Sequence, residues 1–170
     1  MHSEALAVTD QWLHLGHIGR WVRTEAIAGL RESARLRGRK GRVELIILDP
    51  REESLCRSYA EYRDVLAYDD RDISSVEDVK LELIATLIHC IRASTDPRLD
   101  VELYFRSDLD FVRLDISSSV VFRTLVDPRN VAIVHHDIPE ERRHSFFDAA
   151  VLSFDQAKGA AQKIDLASVD

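Results

Sequence analysis

The chain has few of the residues that interrupt regular structure or cross-link a protein. Its 170 residues include 6 glycines, 4 prolines and 2 cysteines. This composition excludes collagen-like and low-complexity sequences, and a hydrophobic fraction of 45% is enough to build a folded core. Two cysteines are too few for a disulfide framework. Cys56 and Cys90 fall within helical patterns and are predicted to be buried free thiols.

Long apolar runs and an excess of basic charge are missing as well. No apolar run approaches the roughly 20 residues of a membrane span, and the start of the chain lacks the basic and apolar regions of a signal peptide. We therefore expect a cytoplasmic protein without membrane contact. The formal net charge of −7 does not support nucleic acid as a partner. Without a repeat or a linker, residues 1–170 are predicted to form one domain.

The best-defined stretch runs from Arg42 to Leu48 and ends in Asp49-Pro50. A short, β-branched, nearly unbroken apolar run bounded by turn residues is typical of a strand that is buried on both faces of a sheet. Open α/β sheets place their ligands beyond the carboxyl ends of such strands. This pattern places Asp49 and Arg51 at the expected site.

The remaining elements follow from hydrophobic periodicity and turn residues. Further strands are predicted over 11–16, 101–105, 111–116, 120–126 and 131–135, and helices over 18–37, from Glu52, over 76–95 and from Pro139. Ser74, with Glu77 three residues later, predicts a capping box for the third helix. The first ten residues and the tail after Lys163 predict no element. This order favours an α/β fold with a mixed, mostly parallel sheet and helices on both faces.

Several of these pieces resemble one repeat of the phospholipase D-like fold, over roughly residues 11–160. They are the glycine-containing turn Leu15–Gly19, the strand ending Leu48-Asp49-Pro50 before Arg51, the hairpin 120–134 and the final phenylalanine-rich helix. The resemblance implies that catalysis would rest on His-x-Lys-x-x-x-x-Asp at the hairpin. In that motif the histidine attacks phosphorus, the lysine neutralises the phosphate oxygens and the aspartate organises the turn.

This catalytic motif is degenerate here. With Asp127 aligned to the motif aspartate, Phe122 stands at the lysine position and Val120 at the histidine position, and no His-x-Lys occurs in the chain. Valine cannot supply the attacking imidazole. The resemblance therefore implies a catalytically inactive single-repeat module that binds a ligand or a protein partner. We predict no metal and no cofactor. Related degenerate forms are accessory domains of bacterial regulatory and phage-defence proteins, and single-repeat members pair, which predicts a homodimer.

Charged residues near the predicted strand ends form the candidate ligand site. These are His17, Arg20, Asp49, Arg51, Arg106 and Arg123. Two or three arginines converging at one edge of a sheet suit a small anionic ligand that carries a phosphate or carboxylate. The alternative interpretation is that these arginines cap helices or pair with the many carboxylates.

Three other hypotheses remain open from the sequence. The chain could be a diverged phosphodiesterase or nuclease with relocated residues, such as His17, Asp49 and His135. It could be a scaffold whose partner covers residues 35–42 of the basic segment 31–42, although such charge runs are also typical of a solvated helix end. His135-His136-Asp137 resembles a metal cluster, with Glu140 and His144 one helix turn away. Neighbouring strand residues point to opposite faces, so we predict no metal there.

Overall fold

A computed structural model describes residues 2–66, 75–110, 112–118, 120–127, 130–135 and 140–168. The strands are β1 (Gln11–Leu15), β2 (Gly41–Leu48), β3 (Leu99–Arg106), β4 (Val112–Ser117), β5 (Val121–Asp127), β6 (Asn130–His135) and β7 (Gln162–Ile164). The helices are α1 (His2–Val8), α2 (Ile27–Arg37), α3 (Glu53–Leu66), α4 (Val76–Ser94) and α5 (Glu140–Ala160). A π-helical segment, Val22–Ala26, leads directly into α2.

The described strands form one seven-stranded sheet in the order β6-β5-β4-β1-β2-β3-β7. Only β1, β2 and β3 run parallel to one another, while the other neighbouring strands pair antiparallel. The sheet is therefore mixed, as predicted, but the expectation of a mostly parallel sheet is wrong. The physical reason is that β4, β5 and β6 follow one another through short connections, which allow antiparallel pairing only.

Two hydrophobic cores lie on opposite faces of this sheet. The first packs β1 and β2 residues such as Trp12 and Leu45 against α2, α3 and α4. The second packs Leu13 and Ile46 against α5, chiefly through Phe154. Helices therefore lie on both faces, and β2 is buried on both, as its apolar run predicted.

The two ends of the chain differ from the prediction. The first residues form α1, because Leu6 packs into the first core, and a Cβ on Gly29 of α2 would come within 2.9 Å of it. After α5 the chain turns back and pairs β7 with β3, Tyr104 lying opposite Lys163. Short elements of this kind are set by tertiary contacts that leave no periodic pattern in the sequence.

The capping box of α4 lies one residue later than predicted. The Ser75 hydroxyl accepts a hydrogen bond from the Asp78 backbone N–H, and the Asp78 carboxylate accepts one from the Ser75 N–H. Ser74 lies outside the described residues. The box fixes where α4 begins, and therefore which of its residues face the sheet.

The turn after β1 is held against β2 and α4. Gly19 has a φ of +66°, a conformation that favours glycine, and a Cβ there would lie 3.1 Å from Thr86. The Ile18 carbonyl accepts a hydrogen bond from the Thr86 hydroxyl at 2.7 Å, and the His17 carbonyl accepts one from the Leu48 N–H at 2.9 Å. These bonds place His17 beside the carboxyl end of β2.

Cys56 and Cys90 are free and buried, as predicted. Burial raises the pKa of the Cys90 thiol to about 12, so this group is an inert part of the first core. None of the described helices has both the length and the apolar character that a membrane crossing requires.

Candidate functional site

A histidine–aspartate pair lies at the centre of the candidate site. His14 of β1 faces Asp115 of β4 across the antiparallel pairing, and His14 Nδ1 lies 2.7 Å from Asp115 Oδ1. The same carboxylate accepts hydrogen bonds from Trp12 Nε1 at 3.0 Å and from Arg113 Nε at 2.7 Å. All four side chains lie on the face of the first core, because strand residues two apart share a face.

The Asp115 carboxylate is charged despite being only 1% exposed. Burial alone would raise its pKa, but the attraction and hydrogen bond of His14, together with Arg113 and Trp12, hold the pKa well below the usual value. A charged carboxylate only accepts hydrogen bonds, so the proton of this contact is on His14 Nδ1.

The other ring nitrogen of His14 has a different environment. Nε2 is buried and has no hydrogen-bond partner among the described residues. A Cβ on Gly16 would lie only 2.5 Å from it. The imidazole therefore fills the space that the missing side chain of Gly16 leaves, and Asp115 fixes its orientation.

His14 also lines a cavity of about 350 Å³, which we call the histidine cavity. Its walls combine histidine, arginine and aromatic side chains. The lining residues are His14, His17, Ile18, Gly19, Arg20, Trp21, Thr24, Tyr59, Arg63 and Arg113. Basic groups predominate among the charged residues, so the cavity suits an anion.

Carboxylates fix two of the arginines in this wall. Arg20 donates through Nε and Nη2 to Glu82 of α4, at 3.2 and 2.8 Å, and Arg23 donates to the same carboxylate at 2.7 Å. Arg113 donates to Asp115 through Nε. Because Arg20 and Arg113 are only 35% and 33% exposed, their positions are set before a ligand arrives, which lowers the entropic cost of binding.

His17 is a neutral member of the cavity wall. Its Nε2 donates a hydrogen bond to the Asp110 carbonyl at 2.8 Å, and its ring stacks on Tyr59 with centroids 4.7 Å apart. Burial lowers the pKa of His17 to about 4, although the hydrogen bond to Asp110 acts in the other direction. His17 is therefore uncharged near neutral pH.

The structure distributes the six predicted ligand residues over three places. His17 and Arg20 line the histidine cavity. Arg106 and Arg123 line a second cavity of about 450 Å³ under α5, on the opposite face of the sheet. The remaining two, Asp49 and Arg51, form an ion pair at 2.6 Å and line neither cavity. His17, Asp49 and Arg106 lie at or just beyond the carboxyl ends of β1, β2 and β3, but the sheet separates the two cavities.

Arg106 is held by its neighbour in the second cavity. Its Nε and Nη2 donate to Asp108 at 3.1 and 2.7 Å, while its Nη1 is buried without a hydrogen-bond partner among the described residues. Asp108 and Asp110 line the same cavity as Arg106 and Arg123, so its charges balance. The carboxylates that pair with Arg20 and Arg113, by contrast, do not line the histidine cavity, which makes the second cavity the weaker anion site.

Apolar packing occupies the degenerate motif positions. Phe122 is buried and stacks on Trp12, with ring centroids 6.0 Å apart, and Val120 packs against the same core. Phe122 lies opposite Asp115 in the β4–β5 pairing, and Asp115 lies opposite His14 in the β1–β4 pairing. One row across three strands therefore contains both Phe122 and the imidazole of His14. Asp127 ends β5 at the predicted hairpin.

The basic segment 31–42 is largely occupied by internal contacts. Arg31 pairs with Asp96 at 2.8 Å, Arg35 with Glu32 at 2.6 Å, and Arg42 with Glu44. Arg37 donates to the backbone carbonyls of Val8 and Thr9. These contacts favour the interpretation of a solvated, ion-paired helix end. For the proposed metal cluster, His136 and Asp137 lie outside the described residues, as do the side chains of His135, Glu140 and His144.

Sequence reasoning missed the pairing of His14 with Asp115 and the place of Arg113. The signal was present as alternation, since Trp12 and His14 share one face of β1 and Arg113 and Asp115 share one face of β4. The sequence did not show that β4 is the antiparallel neighbour of β1, so Asp115 could not be identified as the partner of His14.

Comparisons with known proteins do not identify the chain. No protein-family model and no curated protein sequence matches it. Among solved structures, the fold is similar to TrmBL2, described as an archaeal chromatin protein with a novel mode of DNA binding. That similarity has a TM-score of 0.44 and 14% sequence identity, and it covers 96% of this chain and 49% of TrmBL2. The chain thus spans about half the length of TrmBL2, and so distant a likeness supports no conclusion about function.

Proposed function

We propose that the chain is a phospholipase D-like module that binds a small anionic ligand in the histidine cavity and does not cleave it. The absence of the family's attacking histidine and lysine supports this proposal, as does the packing of Phe122 into the core at the lysine position. Its setting would be that of an accessory domain in a bacterial regulatory or phage-defence system. A cytoplasmic location agrees with its two free, buried thiols.

The convergence of three guanidinium groups on one cavity carries the proposal. Arg20, Arg63 and Arg113 all line the histidine cavity. Among the described residues, Arg113 hydrogen-bonds only through Nε, which leaves its two terminal nitrogens for a ligand. A guanidinium fixed in this way matches the paired oxygens of a phosphate or a carboxylate. Trp21 and Tyr59 add aromatic surface for the body of the ligand.

Isothermal titration with inorganic phosphate tests this proposal, with acetate as a carboxylate probe. Arg113→Gln removes the charge that faces the cavity, and we expect it to weaken binding by about tenfold or more. Arg51→Gln is the matched control, because Arg51 is exposed, pairs with Asp49 and lies outside the cavity. Absence of binding by the unmodified protein, or an equal loss in both variants, would argue against the site.

A second candidate function is a diverged phosphodiesterase, because of the pair His14–Asp115. A carboxylate on Nδ1 orients an imidazole and raises the nucleophilicity of Nε2. The relocated histidine would then be His14 and not His17, which is neutral and uses its Nε2 to bind a carbonyl. Against this function, His14 is only 3% exposed and its Nε2 is buried, so attack on a phosphorus atom would require local movement.

A chromogenic phosphodiester and single- and double-stranded nucleic acid distinguish the two functions. Binding without turnover supports the first. Turnover that His14→Gln abolishes and His17→Gln retains would establish the second. Metal-free and metal-loaded protein should both be assayed, so that a metal-dependent activity is also detected.

We also propose that the module acts as a homodimer. Single-repeat members of the resembled fold pair, and a two-fold interface is the commonest arrangement of soluble homo-oligomers. A protein partner that covers the basic segment 31–42 is less well supported, because its arginines already contact carboxylates and backbone carbonyls. The net charge of −7 still offers no support for nucleic acid as a partner.

A further inference from the structure

Helix α4 presents an apolar stripe to solvent. Leu81, Ile84 and Ile88 are 64%, 42% and 43% exposed, whereas Val79 and Leu83 on the other side of the helix are fully buried. The spacing of three and four residues is that of a seam between two packed helices. The other large apolar side chains that are exposed among the described residues, Val8, Leu36 and Leu152, lie one each on α1, α2 and α5. The stripe is therefore the one place where such residues cluster on a described helix.

The charges at the two ends of the stripe are opposite. Glu77 lies before Leu81 in the first turn of α4, and Arg92 lies after Ile88 in the last turn. Both are exposed. On a helical projection, residues 77, 81, 84, 88 and 92 fall on one face of the helix.

This order is self-complementary when two copies of α4 are placed antiparallel. If a two-fold axis passes between residues 84 and 85, Leu81 lies opposite Ile88 of the second copy, and Ile84 lies beside the Ile84 of that copy. The same axis places Glu77 opposite Arg92 of the second copy, and the symmetry makes this pair twice. Parallel pairing would instead place Glu77 beside Glu77 and Arg92 beside Arg92, which is unfavourable.

We propose that this stripe is the surface through which two copies of the chain associate, α4 against α4 about that axis. The inference rests on the homodimer part of the proposed function and assigns it a surface and a register. Binding of a different protein would not require the charges and apolar residues of α4 to be complementary to a second, antiparallel copy of α4. The charge complementarity between the ends therefore selects a second copy as the occupant.

Sedimentation equilibrium of the full chain tests the surface. The unmodified protein is expected to sediment at twice its 19.4 kDa chain mass at high concentration. Ile84→Asp should weaken the dimer by about thirtyfold or more, because it places a charge at the centre of the interface. Leu152→Asp is the matched control, since Leu152 is equally apolar and 58% exposed but lies on α5; this variant should remain dimeric.

Charge reversal tests the register. Glu77→Arg and Arg92→Glu alone should each weaken the dimer by about threefold to tenfold, because each places like charges opposite each other twice. The double variant Glu77→Arg/Arg92→Glu recreates both pairs with their signs exchanged and should restore the affinity to within about twofold. Only pairing of residue 77 with residue 92 of a second copy predicts this rescue. Melting curves should show that all variants are folded.

The outcomes are distinguishable from those of the ligand site. A protein that remains monomeric at every concentration, a dimer that Ile84→Asp leaves intact, or a double variant without rescue would overturn the proposal. Phosphate titration of Ile84→Asp distinguishes a failure of the dimer surface from a failure of the ligand site, because this variant leaves the histidine cavity unchanged. Its phosphate affinity should equal that of the unmodified protein whether or not the chains associate.

Discussion

His14 and Asp115 form a buried pair across the β1–β4 pairing, with 2.7 Å between Nδ1 and Oδ1 and exposures of 3% and 1%. Three donors from three residues satisfy one carboxylate inside the first core. Breaking a buried pair from one side costs more than its net contribution, because the remaining partner stays buried and unpaired. The stability of the site and its chemistry are therefore coupled through Asp115.

Asp115→Asn should lower the free energy of unfolding by about 2–4 kcal/mol near neutral pH. Because the pKa of Asp115 is depressed in the folded state, its stabilisation is complete above the unfolded pKa of about 4 and is lost as the pH falls below that value. The difference between variant and unmodified protein should therefore shrink in acid. Urea unfolding at several pH values measures this. Asp100→Asn, at an exposed side chain of β3, is the control and should change little.

Gly16→Ala should destabilise the protein by about 1–3 kcal/mol, because the added methyl would lie 2.5 Å from His14 Nε2 and Asp115 prevents the ring from moving away. Gly159→Ala is the control: no atom lies within 4 Å of its added Cβ, so this helical position should gain stability.

A double-mutant cycle then tests whether a clash with His14 causes the destabilisation by Gly16→Ala. In His14→Ala/Gly16→Ala the clash disappears, so the combined loss of stability should be smaller than the sum of the two single losses. Simple additivity would show that Gly16 is required for its backbone and not for the space that His14 occupies.

His17 should make stability depend on pH in a higher window. Its folded pKa is lowered from 6.5 to about 4, so between these values the unfolded chain binds a proton that the folded chain does not. Stability should be constant above about pH 6.5 and fall by up to roughly 3 kcal/mol as the pH approaches 4. His17→Phe retains a ring that can stack on Tyr59 and removes the titrating group, so its unfolding curves should lose this slope. An unchanged slope would assign the effect to other groups.

Lys158 connects α5 to the central strands. Its Nζ lies 2.6 Å from the buried Glu44 and 3.0 Å from Glu102, and these contacts raise its pKa despite partial burial. Lys158→Met should cost about 2–4 kcal/mol of stability, since Glu44 loses a partner in the core. Lys163→Met, at an exposed side chain that pairs with Glu102 and lies over the Tyr104 ring, should cost less than about 1 kcal/mol.

A double variant tests whether the lost charge of Lys158 causes the loss of stability in Lys158→Met. In Lys158→Met/Glu44→Met both charges are replaced by apolar side chains, and the loss should be smaller than for Lys158→Met alone. An equal or larger loss would mean that the aliphatic part of Lys158, and not its ammonium group, holds α5 in place.

Elements with a strong local pattern were predictable from the sequence. The apolar run of β2 predicted its burial on both faces, and the helical spacing of the apolar residues over 76–91 predicted α4, although Ile84 and Ile88 of that pattern are exposed. The hairpin of β5 and β6 followed from its turn residues. In each case the information lies within about ten residues of chain, where periodicity and turn chemistry act.

The order and direction of the strands in the sheet were harder to predict from the sequence. The contact between His14 and Asp115 joins residues 101 apart in the chain, and it depends on β4 lying antiparallel beside β1. Because a mostly parallel sheet was expected, β4 was not considered as the neighbour of β1. That expectation also led to one predicted pocket where the sheet separates His17 and Arg20 from Arg106 and Arg123. Alternation shows which side chains share a face, but strand order decides which faces meet.

The central claim is that the arginines of the histidine cavity bind an anion. Nitrogen–proton NMR of the arginine Nε–H groups during a titration with inorganic phosphate tests it most directly, because each site reports its own occupancy. The account predicts saturable shifts for Arg20 and Arg113 with one common affinity, and no saturable shift for Arg51. Equal, unsaturable shifts at all exposed arginines, or no shift at Arg113, would contradict it.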